Sequence, residues 1–154
     1  MSQIESADFV SEIPFDTERI GAAAVYCSDG RFGEQMDDFL HHSLGLPRYD
    51  RVAIPGGAAC LACYTAAIRE EGALERQLKL LIKVHGLKDI VLIAHQDCAF
   101  YQTVRWRNQS LEKQQFEDLS KAARRIRKYA LFLGVRAYFA RKFEGYVVFE
   151  PVPL

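Results

Sequence analysis

The chain has 154 residues, 49% of them hydrophobic and 26% charged, and its twenty acidic residues balance its twenty basic ones. That length suits one domain, which buries roughly 68–70% of its unfolded surface and needs no disulfide staple. Zero net charge argues against a nucleic-acid binder, which carries a basic excess, and no apolar run approaches the ~20 residues of a membrane span.

The first sixteen residues carry acids and no basic segment leading into an apolar one, so they do not read as a secretory signal. The expected compartment is the cytoplasm. There the four cysteines read as ligands or core residues rather than as two disulfides. Residues 1–20 read as an N-terminal arm on a single domain spanning 1–154.

Residues 22–27 (AAAVYC) predict a short buried strand. Residues 32–44 predict a helix with Phe32, Met36, Phe39 and Leu40 on one face. Residues 51–54 form a second strand, stopped by Pro55-Gly56-Gly57. A helix is expected over 58–71, broken at Gly72, with a further apolar stripe of Leu74, Leu78, Leu81 and Ile82 beyond it. Residues 89–94 (DIVLIA) are apolar on both faces, as an interior parallel strand should be. Residues 114–133 predict a long amphipathic helix, because Phe116, Leu119, Ala123, Ile126, Ala130 and Leu133 recur at spacings of three and four. Its basic run, 121–128, fits the solvated side. Residues 135–140 and 146–149 flank Glu144-Gly145 and predict a closing antiparallel hairpin. Strands alternating with helices imply an α/β fold with a mostly parallel central sheet covered on both faces. Such sheets bind ligands beyond the carboxyl ends of their strands.

Two fragments close predicted strands. Cys27-Ser28-Asp29-Gly30-Arg31 follows the first, and His95-Gln96-Asp97-Cys98 follows the third. Together they offer two thiols, an imidazole and a carboxylate, a donor set suited to zinc rather than to magnesium or calcium. The set converges only if the first and third strands are neighbours. Cys27, Asp29 and Arg31 alternate, so in extended chain they share a side. Asp29 then has two candidate partners, the metal or the guanidinium fork of Arg31. Cys60-Leu61-Ala62-Cys63 is a second C-x-x-C candidate. It reads as core packing, with an all-thiolate site of Cys27, Cys60, Cys63 and Cys98 as the rival metal arrangement.

The pattern Cys27-x-Asp29-x-Arg31 with His95-x-x-Cys98 resembles the β-class carbonic anhydrases. Residues 87–95 look like that family's strand leading into its metal histidine, and 135–149 like its terminal strand pair. The resemblance implies strand order 2-1-3-4 plus an antiparallel C-terminal edge strand. It implies Cys27, His95 and Cys98 as zinc ligands, and Asp29 and Arg31 as a gating pair with Asp29 a possible fourth ligand. The implied reaction is reversible hydration of carbon dioxide to bicarbonate by zinc-bound hydroxide, in a homodimer or dimer of dimers. Zinc brings water's pKa from ~15.7 to about 7, the value for the three-histidine carbonic anhydrase site. Two thiolates donate more charge, so the rate–pH inflection is expected no lower than neutrality; an inflection well below it would contradict this.

Three features depart from the family pattern: the N-terminal arm is short with the helix after Arg31 starting early at Phe32-Gly33-Glu34, and two further positions differ. The family's Arg-Asn-Ala-Gly stretch is here 54–58 (IPGGA), and the glycine after the metal cysteine is here Ala99. Backbone N–H groups of Gly56, Gly57 and Ala58 are the substitute candidates for holding an anion. The alternatives to carbon dioxide hydration are another small substrate, or a zinc- or anion-binding regulatory role without turnover.

Overall fold

The computed structural model describes residues 9–62, 64, 67–103 and 110–154. Five strands make one sheet: β1 (Ala22–Tyr26), β2 (Asp50–Ala53), β3 (Asp89–His95), β4 (Gly134–Phe143) and β5 (Tyr146–Pro151). Their order is β2-β1-β3-β4-β5. The first four are parallel, and β5 runs antiparallel to β4 at the edge. The expected order and the expected edge strand are both found.

Composition explains the centre of the sheet. Every residue of β1 is buried, and so are Ile90, Val91, Leu92 and Ile93 of β3. Alternation sends Ala23, Val25, Ile90 and Leu92 to one face and Ala22, Ala24, Tyr26, Val91 and Ile93 to the other. The first face packs under helices α2 (Ile68–His85) and α4 (Leu111–Tyr129) through Leu74, Leu78, Leu119 and Ile126. The second packs under α1 (Gly33–Asp38) through Phe32, Met36 and Leu40. Truncating Leu92, fully buried at the sheet centre, to alanine is expected to cost about 2–5 kcal/mol in urea unfolding.

The helix boundaries differ from the sequence expectation in four places, each with a physical reason. The helix expected over 32–44 is α1 followed by a π-helical turn, Phe39–Ser43. The wider turn lets Phe39 stack on Phe149, ring centroids 4.2 Å apart, while Leu40 stays in the core. Of the helix expected over 58–71, residues 68–71 open α2, while Gly57–Leu61 forms a 3-10 turn. All five of its residues are buried, so no apolar–polar period exists there to read. Gly72 does not interrupt α2. One helical glycine costs only about 1 kcal/mol, and the buried Leu74 and Leu78 outweigh it. The helix expected over 114–133 begins earlier, where the Ser110 side chain accepts the Lys113 N–H at 3.2 Å. It ends at Tyr129, and Leu133 is buried in the connection to β4 rather than on the helix.

The hairpin turn lies where expected. Glu144 and Gly145 have φ of 47° and 84°, and Phe143 pairs with Tyr146. That is a two-residue turn whose twist suits a hairpin. The basic run on α4 is only partly a solvated face. Arg125 pairs with Glu71 and Glu75 and ties α4 to α2. Among the described residues no helix is long and apolar enough to cross a membrane.

Candidate metal centre

Parallel pairing of β1 with β3, Tyr26 opposite Ile93, carries the two motif fragments out of the same end of the sheet. Cys27 follows β1, His95 ends β3, and Cys98 opens the first turn of α3 (Ala99–Thr103). Asp97 makes the tight reversal between them at φ 58°, a left-handed conformation uncommon for a residue with a side chain. The ligand atoms of Cys27, His95 and Cys98 all lie within 4.8 Å of one another, and all three residues are buried.

The donor chemistry fits a zinc-sized tetrahedral ion. The two sulfurs are 3.8 Å apart. Two zinc–sulfur bonds of about 2.3 Å at a tetrahedral angle span about 3.8 Å. His95 Nδ1 lies 2.8 Å from the Gln96 carbonyl oxygen. A carbonyl only accepts, so Nδ1 carries the proton and Nε2 presents a lone pair. That Nε2 is buried and has no hydrogen-bond partner. A buried acceptor left unmatched is costly, and a metal ion would satisfy it.

The thiols are not equivalent. The Cys98 thiol points at Cys27 Sγ and, against the opposing effect of burial, holds the Cys27 pKa well below the thiol range. The same interaction pushes Cys98 up.

Asp29 is held by Arg31. The guanidinium donates from Nε to Oδ1 at 3.0 Å and from Nη2 to Oδ2 at 2.6 Å, and the Arg31 N–H donates to Oδ1 at 3.0 Å. Arg31 holds the Asp29 pKa at about 2. Of the two partners the sequence left open, this structure pairs Asp29 with arginine. Gly56, Gly57 and Ala58 stand beside this end of the sheet, and one of their N–H groups is engaged within the loop. Gly57 N–H donates to Ile54 O at 2.9 Å. The requirement for glycine at 57 is close approach: a Cβ there would lie 2.7 Å from the Tyr26 carbonyl carbon.

Cys60 stands apart from the donor group. Its Sγ donates to Pro55 O at 3.5 Å, and burial pushes its pKa up to about 11, as for a core thiol. Cys63, the other half of the C-x-x-C, lies outside the described residues. A cavity of about 160 Å³ adjoins Cys98, lined in part by Tyr101, Gln115 and Phe139.

The sequence reading missed one group of residues here. Asp118 is fully buried. Its Oδ2 accepts from the hydroxyls of Tyr64 and of Tyr101, the latter at 2.8 Å, and its Oδ1 accepts from Gln114 Nε2 at 2.9 Å. Gln115 Nε2 donates to the His95 carbonyl at 2.8 Å. The legible signal was polar Gln114, Gln115 and Asp118 in register with the buried Leu119 and Ala122 of the same helix.

Comparison with known proteins agrees with this fold. Residues 17–149 match the model of the family described as "Putative carbonic anhydrase". No curated protein sequence matches the chain. Among solved structures, the β-carbonic anhydrase isoform I of Trichomonas vaginalis aligns at 14% identity and TM-score 0.55, over 89% of this chain and 87% of that one. The carbonic anhydrase from Glaciozyma antarctica aligns at 18% identity and TM-score 0.53, over 85% and 83% of the two chains. These likenesses are of fold. With a family model spanning most of its length and a β-carbonic anhydrase sheet, the chain belongs to the carbonic anhydrase family.

Proposed function

We propose that the protein catalyses the reversible hydration of carbon dioxide to bicarbonate, with zinc held by Cys27, His95 and Cys98. The observation that carries the reading is the buried, unmatched His95 Nε2 facing two sulfurs at tetrahedral spacing. Zinc supplies, when bound, a Lewis acid that makes water available as a nucleophile near neutral pH. The protein's own groups do the rest. The Gln96 carbonyl fixes the His95 tautomer. Arg31 keeps Asp29 ionised and holds it by a two-pronged ion pair, so Asp29 would leave a fourth position on the bound ion to water. An Asp29 carboxylate oxygen would also accept a hydrogen bond from a water at the centre, sharing it with the Arg31 contacts, and so orient it.

Asp29→Asn removes the ionised acceptor without removing a thiol or imidazole. It is expected to keep zinc at one per chain and lower kcat/KM for hydration by about 10²–10⁴-fold. Zinc analysis beside stopped-flow hydration checks this; a variant with unchanged kcat/KM would remove Asp29 from the mechanism.

A second reading keeps the metal and drops turnover on carbon dioxide, in favour of another small substrate or a regulatory role. It is favoured by the internal engagement of the Gly57 N–H group, which leaves one donor fewer to orient a product anion. One experiment separates the readings: zinc content and stopped-flow hydration of purified protein, with Cys98→Ser as control. The enzyme reading expects zinc at one per chain and hydration well above the control. Full zinc with no hydration from neutral to moderately alkaline pH would leave only the second reading. No zinc after metal-replete expression would remove both.

A homodimer or dimer of dimers belongs to the same proposal. Phe9, Ile13 and Phe15 in the N-terminal arm are 93%, 82% and 92% exposed, and contact with a second copy would cover them. Light scattering should give a mass at least twice that of one chain; a monomer at micromolar concentration would contradict it.

A further inference from the structure

Helix α4 carries an unusual share of the buried polar groups. Among the described residues, the buried polar or charged side chains are His95, Gln114, Gln115 and Asp118. Three of the four lie within five positions of one helix. A helix needs no such groups to pack on a sheet. Apolar residues do it at lower desolvation cost, and buried charge is weak evidence for stability. Their partners show what they hold.

Gln115 donates to the backbone carbonyl of His95. The next residue is fixed from the other side: Gln96 N–H donates to Ala140 O at 2.9 Å, and Gln96 Oε1 accepts the Lys142 N–H at 3.0 Å. The peptide that carries the His95 ring is therefore clamped between α4 and β4. Asp118 acts on the other ligand segment. It takes the hydroxyl of Tyr101, whose own N–H donates to the Cys98 carbonyl at 3.1 Å. The first turn of α3, which begins at Cys98, is thereby bolted to α4. Between the two clamps sits Asp97 with its left-handed backbone, a conformation that persists only where the surroundings enforce it.

The geometry points to Gln115 and Asp118 as positioning residues of the metal centre. Gln115 acts through the His95 carbonyl and Asp118 through the Tyr101 hydroxyl, and together they hold His95 Nε2 and Cys98 Sγ at ligand spacing. This inference rests on the zinc reading above. Residues supporting ligands in this way typically change metal affinity 10–100-fold when replaced.

The test measures zinc affinity by competition with a chromophoric chelator, and the visible spectrum of the cobalt(II)-substituted protein. The variants are Gln115→Leu, Asp118→Asn, Tyr101→Phe and the double variant Tyr101→Phe/Asp118→Asn. Ile126→Val, in the α4 core away from the site, is the control for lost stability alone. Gln115→Leu and Asp118→Asn should each weaken zinc binding about 10–100-fold and shift the cobalt bands. The control should stay within about twofold with unchanged bands. Because Asp118 acts through Tyr101, the double variant should lose little more affinity than Asp118→Asn alone. Should a variant fold poorly, Tyr101→Phe, which removes one oxygen, still reads the Asp118 arm. Wild-type zinc affinity and spectra in all variants would overturn the proposal while leaving the zinc reading intact. A wild-type protein that binds no zinc would overturn both.

Discussion

Cys98→Ser is expected to weaken zinc binding by more than about 100-fold, the upper end of what disturbing a ligand's neighbour costs, and to reduce carbon dioxide hydration to background. Serine keeps nearly the same shape, so the loss comes from chemistry. A hydroxyl stays protonated at neutral pH and is a poor ligand where zinc favours thiolate. The substitution also acts on Cys27. In the wild-type protein the Cys98 thiol points at Cys27 Sγ and is the largest influence lowering its pKa. Zinc release measured against a chromophoric chelator, with circular dichroism to confirm the fold, checks this. A serine variant that keeps tight zinc would remove Cys98 from the ligand set and favour a different donor.

Gly57→Ala is expected to destabilise the protein by about 2–4 kcal/mol, from overpacking of roughly 1–3 kcal/mol and about 1 kcal/mol for a left-handed backbone. The added Cβ would lie 2.7 Å from the carbonyl carbon of Tyr26 and 2.8 Å from the nitrogen of Cys27, at φ +52°. Neither atom can step aside easily. Ile54 N–H donates to Tyr26 O, and Ser28 N–H to Ile54 O, each at 3.2 Å, so the end of β1 is laced to the loop after β2. Two neighbouring cases calibrate the effect. At Gly56 the clash is with the Phe100 ring, a side chain rather than backbone. At Gly145, φ +84° with nothing within 4 Å, only the backbone cost of about 1 kcal/mol applies. Urea unfolding should therefore rank Gly57→Ala well below Gly145→Ala in stability. Equal midpoints would show that the Tyr26–Cys27 backbone yields more readily than the hydrogen bonds suggest.

The parts legible in the sequence were those fixed by local chemistry. The β3 run of isoleucine, valine and leucine permits only a strand buried on both faces, and Glu144-Gly145 permits the hairpin turn. The cysteine and histidine spacing suggested the donor set, and the resemblance to a known family supplied the β1–β3 adjacency that lets it converge. The less legible parts depend on tertiary packing. Nothing local distinguishes a glycine that ends a helix from Gly72, which α2 carries through because Leu74 and Leu78 are buried. The fully buried 57–61 segment has no wet face and so no period. Gly56, Gly57 and Ala58 offer an anion cradle by composition, but nothing local tells that the Gly57 N–H is spent on the Ile54 carbonyl. The Gln115 and Asp118 clamps were out of reach for a related reason: their partners lie 20 and 17 positions away.

Zinc K-edge X-ray absorption of the purified protein tests the central claim most directly. The account predicts one zinc per chain, with two sulfur neighbours at about 2.3 Å and the remaining neighbours nitrogen or oxygen at about 2.0–2.1 Å. A shell of four sulfurs, or a zinc with no sulfur neighbour, would contradict it.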